Sequence, residues 1–261
     1  MYQHVIVPFD GSPECRAALA PASDLAWRCG AQVVIVTTTA TDDEAAQHLL
    51  KSQAIAKSGA DVGFWVDTGS EIGEALLEAT RFRAEPLICV ASRYRPQGLV
   101  RKKLIATPLP EAVLRHSTVP VLIIGPKTDL SRGLPLAELV MPIDDSPEAV
   151  RAARLAADWA IGLRIAVRFL SFVPPGAAAP QAPETVRQIH DEIRARAPSV
   201  VLELIETEQP AEALVAIAAE QIDAVILLPR AGGTEREPLD AFAREVVSMS
   251  TRAVLLAPPG T

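Results

Sequence analysis

The chain has 261 residues, 49% of them hydrophobic and 22% charged, with a formal net charge of −7. That length and apolar content suit one large or two small globular cores and exclude a disordered chain. The acidic balance argues against a nucleic-acid backbone or an anionic membrane as partner, because both carry charge of the same sign.

No apolar run approaches the roughly 18 to 20 residues of a spanning helix. Met1 to Asp10 has neither a basic n-region nor a cleavage signature, so the cytoplasm is the expected compartment. In chain order, short β-branched runs alternate with helical stretches. The first half predicts strands at His4 to Asp10, Gln32 to Thr38, Asp61 to Asp67, Pro86 to Ser92 and Pro120 to Gly125. Helices are expected at Pro13 to Cys29, Asp42 to Ser58, Ser70 to Arg83 and Pro108 to Arg115, each opened by Ser, Asp or Pro. The second half predicts strands at Glu138 to Asp144, Arg164 to Val173, Val200 to Glu206, Ala224 to Pro229 and Ala253 to Ala257. Its helices fall at Pro147 to Ile161, Glu184 to Ala197, Pro210 to Glu220 and Pro238 to Ser248.

The two halves are copies of one unit. "VPFDGSPECRAALAPASDLA", from Val7 to Ala26, and "MPIDDSPEAVRAARLAADWA", from Met141 to Ala160, share nine identities in twenty positions at an offset of 134. The offset is expected to hold within one residue to the chain end, where "STVPVLIIGP" faces "STRAVLLAPP". Strict alternation in each copy predicts a doubly wound parallel sheet with flanking helices, whose ligands bind beyond the strands' carboxyl ends at the switch in strand order. Asp10 and Asp144 stand at those corners, followed by Ser12 or Ser146 as the helix cap and by proline in the first turn. The domains are expected at residues 1–127 and 135–261, joined by a linker at 128–134. "VPPGAAAPQAP", Val173 to Pro183, looks like a flexible connection within the second.

Catalytic and metal signatures are sparse. Cys15, Cys29 and Cys89 lack a C-x-x-C spacing and suit buried reduced thiols; the four histidines form no H-E-x-x-H, and there is no G-x-S-x-G. Asp144 and Asp145 are the one adjacent strand-end pair of acids, which is not a two-metal site. No catalytic residue and no metal is expected.

The stretches "VPFDGSPECRAAL", "TGSEIGEALLEAT" and "PEAVLRHSTVPVLIIGP", with "MPIDDSPEAVRAA", "EQPAEALVAIA" and "STRAVLLAPP", resemble universal stress proteins, here as a tandem pair. The resemblance implies two tandem α/β domains, each a five-stranded parallel sheet in the order 3-2-1-4-5, related by a pseudo-twofold. It also implies last strands that pair across a dimer or across tandem domains. Members are stress-response proteins without a defined general catalytic activity, and many bind ATP.

The nucleotide-binding subset carries glycine, two residues, glycine, nine residues, then glycine with serine or threonine. Such glycines let backbone N–H groups close on phosphates at a helix N-terminus. In the first copy Ala91 and Tyr94 stand at the first two glycines, the spacing is too long, and Thr107 or Pro108 falls near the last pair. In the second copy Leu228, Ala231 and Asp240 fall near the three positions, where Asp240 and Glu237 would repel a phosphate. Arg93, Arg95, Arg101, Lys102 and Lys103 form a basic cluster that can hold phosphate without a glycine nest.

By this likeness the first-copy nucleotide contacts are Asp10, Ser12, Thr38, Ser92, Arg93, Gly98 and Thr107, and the second-copy ones Asp144, Ser146, Arg230, Gly232 and Gly233. Phe172 falls where the family's second-strand adenine contact lies, and its bulk is expected to fill that cleft. The expected function is a non-catalytic stress-response or regulatory protein with degenerate nucleotide loops and no firmly required cofactor. The alternative is an ATP- or AMP-binding regulator using the first-domain cleft. A homodimer of tandem chains and an unidentified protein partner are the interactions to expect, with neither nucleic acid nor membrane.

Overall fold

The computed structural model describes residues 1–9, 13–38, 61–68, 70–92, 109–130, 133–134, 136–176, 181–221, 223–230 and 239–259. The first half runs β1 (His4–Pro8), α1 (Pro13–Cys29), β2 (Gln32–Thr38), β3 (Asp61–Asp67), α2 (Ile72–Arg81), β4 (Pro86–Ala91), α3 (Leu109–His116) and β5 (Val121–Ile124). The second runs β6 (Glu138–Pro142), α4 (Pro147–Leu163), β7 (Ala166–Val173), α5 (Glu184–Arg196), β8 (Val200–Glu206), α6 (Pro210–Glu220), β9 (Ala224–Leu228), α7 (Ala241–Met249) and β10 (Val254–Leu256). The helix expected at Asp42 to Ser58 lies outside the described residues.

All ten expected strands form, and they join one continuous sheet in the order β3-β2-β1-β4-β5-β10-β9-β6-β7-β8. Each half thus has the order 3-2-1-4-5, but the two are not separate sheets. Every pairing is parallel except β5 with β10, which is antiparallel and matches Leu122 to Leu255. Those two leucines are equivalent positions, so the local twofold passes between them. The pairing of last strands occurs inside one chain.

Strand register corrects the expected constant offset. His4 aligns with Gln32 and Pro86, while its counterpart Glu138 aligns with Ala166 and Ala224; the offset is therefore 134 at the second strands and 138 at the fourth. It falls to 133 at the last strands, where Val121 lies beside Ile88 and Val254 beside Ile226. The connections absorb the difference: the second copy is longer ahead of β8 and shorter ahead of β10.

Helix starts also depart from expectation. The helix expected from Ser70 opens at Ile72, behind Glu71, whose side chain makes no cap; the Glu71 carbonyl alone receives the Glu74 and Ala75 N–H groups. The helix expected from Pro238 opens at Ala241, because the Asp240 carboxylate accepts from Ala243 N at 2.7 Å and fixes the first turn there.

Both faces of the sheet are covered. On one, Val5, Val7, Val33 and Ile35 with Leu139, Met141, Val167 and Phe169 pack under α1, α4 and α5 in a single cluster. On the other, Ile6, Val34, Val140 and Leu170 pack under α2, α3, α6 and α7. The repeated alanines explain part of the sequence identity. Ala18, Ala22 and Ala26 in α1, like Ala152, Ala156 and Ala160 in α4, recur every fourth residue and are buried, so each helix turns one small-residue stripe to the sheet.

Candidate functional site

The second-half switch point lies between β6 and β9, whose chains leave the sheet in opposite directions. There the corner after β6, the end of β7 and the start of α7 enclose a cleft of about 540 Å³. Ile143 N still donates to Leu170 O at 2.9 Å, after which the chain leaves the sheet and carries Asp144 to the rim. Asp144 Oδ1 accepts from Ser146 N at 3.0 Å and from Ser146 Oγ at 2.5 Å. Ser146 Oγ in turn accepts from Ala149 N at 3.2 Å, which caps α4 as the sequence indicates.

Two further carboxylates border the same space. Glu148 is held below its ordinary range first by its own backbone N–H and then by Arg151, whose Nη2 lies 2.8 Å away. Asp240 caps α7, so its charge already occupies the positive end of that helix. Phe172 and Phe242 supply aromatic wall, with prolines around them. Phe172 narrows the cleft rather than filling it, since the space remains open beside its ring. Gln181 and Pro183, from the far end of the proline- and alanine-rich connection, also line it.

Ser171 is a buried polar residue of the cleft: it is 3% exposed and borders the cavity. Sequence reasoning passed over it in favour of its neighbour Phe172. The available signal was register, because Ser171 stands 134 positions after Thr37, the penultimate residue of the equivalent strand.

Of the second-copy candidates, Asp144 and Ser146 reach the cleft. Arg230 is not among the residues lining the cleft. It is 6% exposed and donates through Nη2 to the Ser117 carbonyl of the first half, and burial pushes its guanidinium down to about 10. In the first copy Thr38 ends β2, and Ser92 lies just past β4 with its N–H on Ile124 O at 2.9 Å. Asp10, Ser12, Arg93, Gly98, Thr107, Gly232 and Gly233 lie outside the described residues.

A second cavity of about 630 Å³ sits where the halves meet, against Tyr2, Pro120 and Trp159. Trp159 Nε1 donates to Tyr2 Oη at 3.0 Å with the rings edge to face. Its charges are paired, Glu85 with the Met1 amine and Asp158 with Arg196. Among the described residues no group of three metal-ligating side chains occurs, and no helix is long and apolar enough to cross a membrane.

A doubly wound sheet duplicated about a local twofold, with an acidic corner at the switch point, defines the class: a tandem α/β protein with a parallel-dominated sheet. Residues 1–63 match the universal stress protein family. The whole chain superposes on a universal stress protein from Archaeoglobus fulgidus DSM 4304 with a TM-score of 0.76 at 17% identity, covering 100% of both chains. A functionally unknown protein from Pseudomonas aeruginosa PAO1 gives 0.63 at 17%, over 98% of this chain and 93% of that one. The cytoplasmic domain of a prokaryotic cation chloride cotransporter gives 0.60 at 14%, over 99% and 96%. No curated protein matches the chain. The amino-terminal segment is thus similar to the universal stress protein family, and the entire chain has the fold of a universal stress protein.

Proposed function

We propose that this protein is a non-catalytic stress-response regulator whose second-half cleft holds a small molecule but rejects a nucleotide's phosphates. One observation carries the reading: the Asp240 carboxylate caps α7 at the helix end beside the cleft. A phosphate placed there would meet a negative charge instead of free N–H groups. Arg230, the described basic candidate of this copy, is turned through Nη2 to Ser117 O of the first half.

The absence of turnover is part of the same proposal. Each cleft carboxylate has a structural engagement, Asp144 with Ser146, Glu148 with Arg151 and Asp240 with α7. Each is thus held by its neighbours rather than set against a nucleophile.

Calorimetry of the full chain with ATP, ADP and AMP, with and without magnesium, tests this. The expected result is no saturable heat from the second half. Binding that Asp144→Ala abolishes would sink the reading. Binding that Asp10→Ala abolishes and Asp144→Ala leaves intact would move nucleotide recognition to the first half and establish the ATP- or AMP-dependent alternative.

A further inference from the structure

We propose that the cavity where the halves meet docks a peptide segment of a partner protein, one carrying a leucine whose backbone N–H is donated to Asp158. This site is separate from the second-half cleft and stands independently of the reading given to it. What identifies the occupant is the cavity's own twin. About the local twofold its lining residues have counterparts in the other half: Thr118 answers to Thr251, Asp158 to Asp24, Trp159 to Leu25 and Gly162 to Arg28.

In the twin a peptide segment is already docked. The chain between the halves is pinned by Asp129 N, which donates to Thr251 O at 3.2 Å, and by Leu134 N, which donates to Asp24 Oδ2 at 2.8 Å. Leu134 is buried, and Leu130 packs against the same core. Arg28 closes over the end of the segment, its Nη1 donating to Leu136 O at 3.0 Å.

At the seam cavity the same frame stands around about 630 Å³ of space, within the range of ligand sites. Gly162 takes the place of the arginine that closes the twin, so that side is open. Asp158 is 66% exposed and pairs with Arg196 at 3.8 Å, beyond hydrogen-bond distance. Its carboxylate can therefore accept a backbone N–H as Asp24 does, and its charge complements the positive end of that N–H. Tyr2, Pro120, Leu155 and Trp159 keep the wall apolar, which suits a buried leucine. Main-chain hydrogen bonds with an apolar side-chain pocket are the usual terms of peptide recognition.

The test uses the full chain, calorimetry and the acetylated, amidated peptide KTDLSRGLPL, which copies residues 127–136. The peptide is expected to bind saturably below about 1 mM. Asp158→Ala should weaken it about fivefold, the scale of one hydrogen bond. Gly162→Arg copies Arg28 and sets a cation in the last turn of α4, where the helix favours it. It should abolish binding by closing the cavity. A peptide carrying Leu134→Ser should lose most of its affinity, because the leucine supplies the apolar contact.

No saturable binding, or binding indifferent to both chain variants, overturns the proposal; should Gly162→Arg fail to fold, Asp158→Ala decides alone. Equal affinity for the Leu134→Ser peptide overturns it as well. Sedimentation distinguishes a second copy of the chain: self-association that Gly162→Arg or Asp158→Ala abolishes would seat that copy in the cavity and overturn the assignment to a partner's peptide.

Discussion

Asp24 and Asp158 occupy the same turn of the two equivalent helices, yet one is built into the fold and the other is a surface group. Asp24 is 6% exposed and accepts from the backbone N–H of Leu134 at 2.8 Å, which draws the segment between the halves onto α1. The carboxyl end of the expected linker is consequently packed: Leu134 is buried in the shared core, as is Leu136 just beyond it. Asp158 is 66% exposed and faces Arg196 at 3.8 Å, a long surface pair of small energetic weight. A repeated residue therefore reports a common backbone position, while the neighbours brought by the rest of the chain decide what it does.

The largest expected effect breaks that contrast directly. Asp24→Ala leaves a buried N–H without its charged acceptor and should cost about 2–3 kcal/mol in urea unfolding. Asp158→Ala should change stability by less than about 0.5 kcal/mol. Equal losses at the two sites would remove the distinction.

Gly133→Ala comes next. Gly133 has φ +82°, and an added Cβ would lie 2.2 Å from Asp24 Oδ2, which the Leu134 contact holds in place. The expected cost is about 2 kcal/mol. Gly176, at φ +73° with nothing within 4 Å of an added Cβ, separates strain from collision. Gly176→Ala should cost about 1 kcal/mol, and a loss as large as that at Gly133 would show that the Asp24 collision contributes nothing.

The helix caps sharpen the comparison inside the second half. Ser146→Ala and Asp240→Ala each remove an acceptor from a first-turn N–H and should cost about 1 kcal/mol in thermal or urea unfolding. Asp240→Asn should restore nearly all of that loss. Failure of the restoration would mean that the charge itself, rather than the cap, stabilises α7.

The smallest effect concerns Cys29, whose counterpart in α4 is Leu163. Burial pushes the Cys29 thiol from an ordinary 9.0 up to about 11, against the lowering influence of the amino terminus and Arg28. The folded state therefore keeps its proton longer than the unfolded chain. The associated stability is complete below pH 9 and is lost as pH rises from 9 to 11. Cys29→Leu, copying the second half, should flatten the wild-type stability difference across that window; an unchanged slope would place the pH dependence elsewhere.

Much of the fold was legible because its signals are local. Runs such as Gln32–Thr38, Asp61–Asp67 and Val200–Glu206 are rich in β-branched, aromatic and other apolar residues, and their strands form with the expected bounds. The Asp144-Ser146-Pro147 corner was equally readable, since capping depends on residues three apart. The site beyond that corner was not. Ser171 matters because β7 carries it to the edge of a space closed by α7, a contact between distant segments. Arg230 looked available until the first-half carbonyl it meets was placed beside it. The shift in offset hid in connections whose length the two ends of the repeat could not reveal.

The antiparallel seam between β5 and β10 has a geometric consequence. Because the twofold reverses strand direction, the carboxyl ends of β1 and β4 point one way along the sheet, and those of β6 and β9 point the other. The two switch points therefore open at opposite ends of the molecule, too far apart for one small ligand to touch both. Each copy has been free to acquire its own lining without obstructing its twin. Any communication between them must pass through the shared core, along the seam and the Arg230 to Ser117 contact that crosses it.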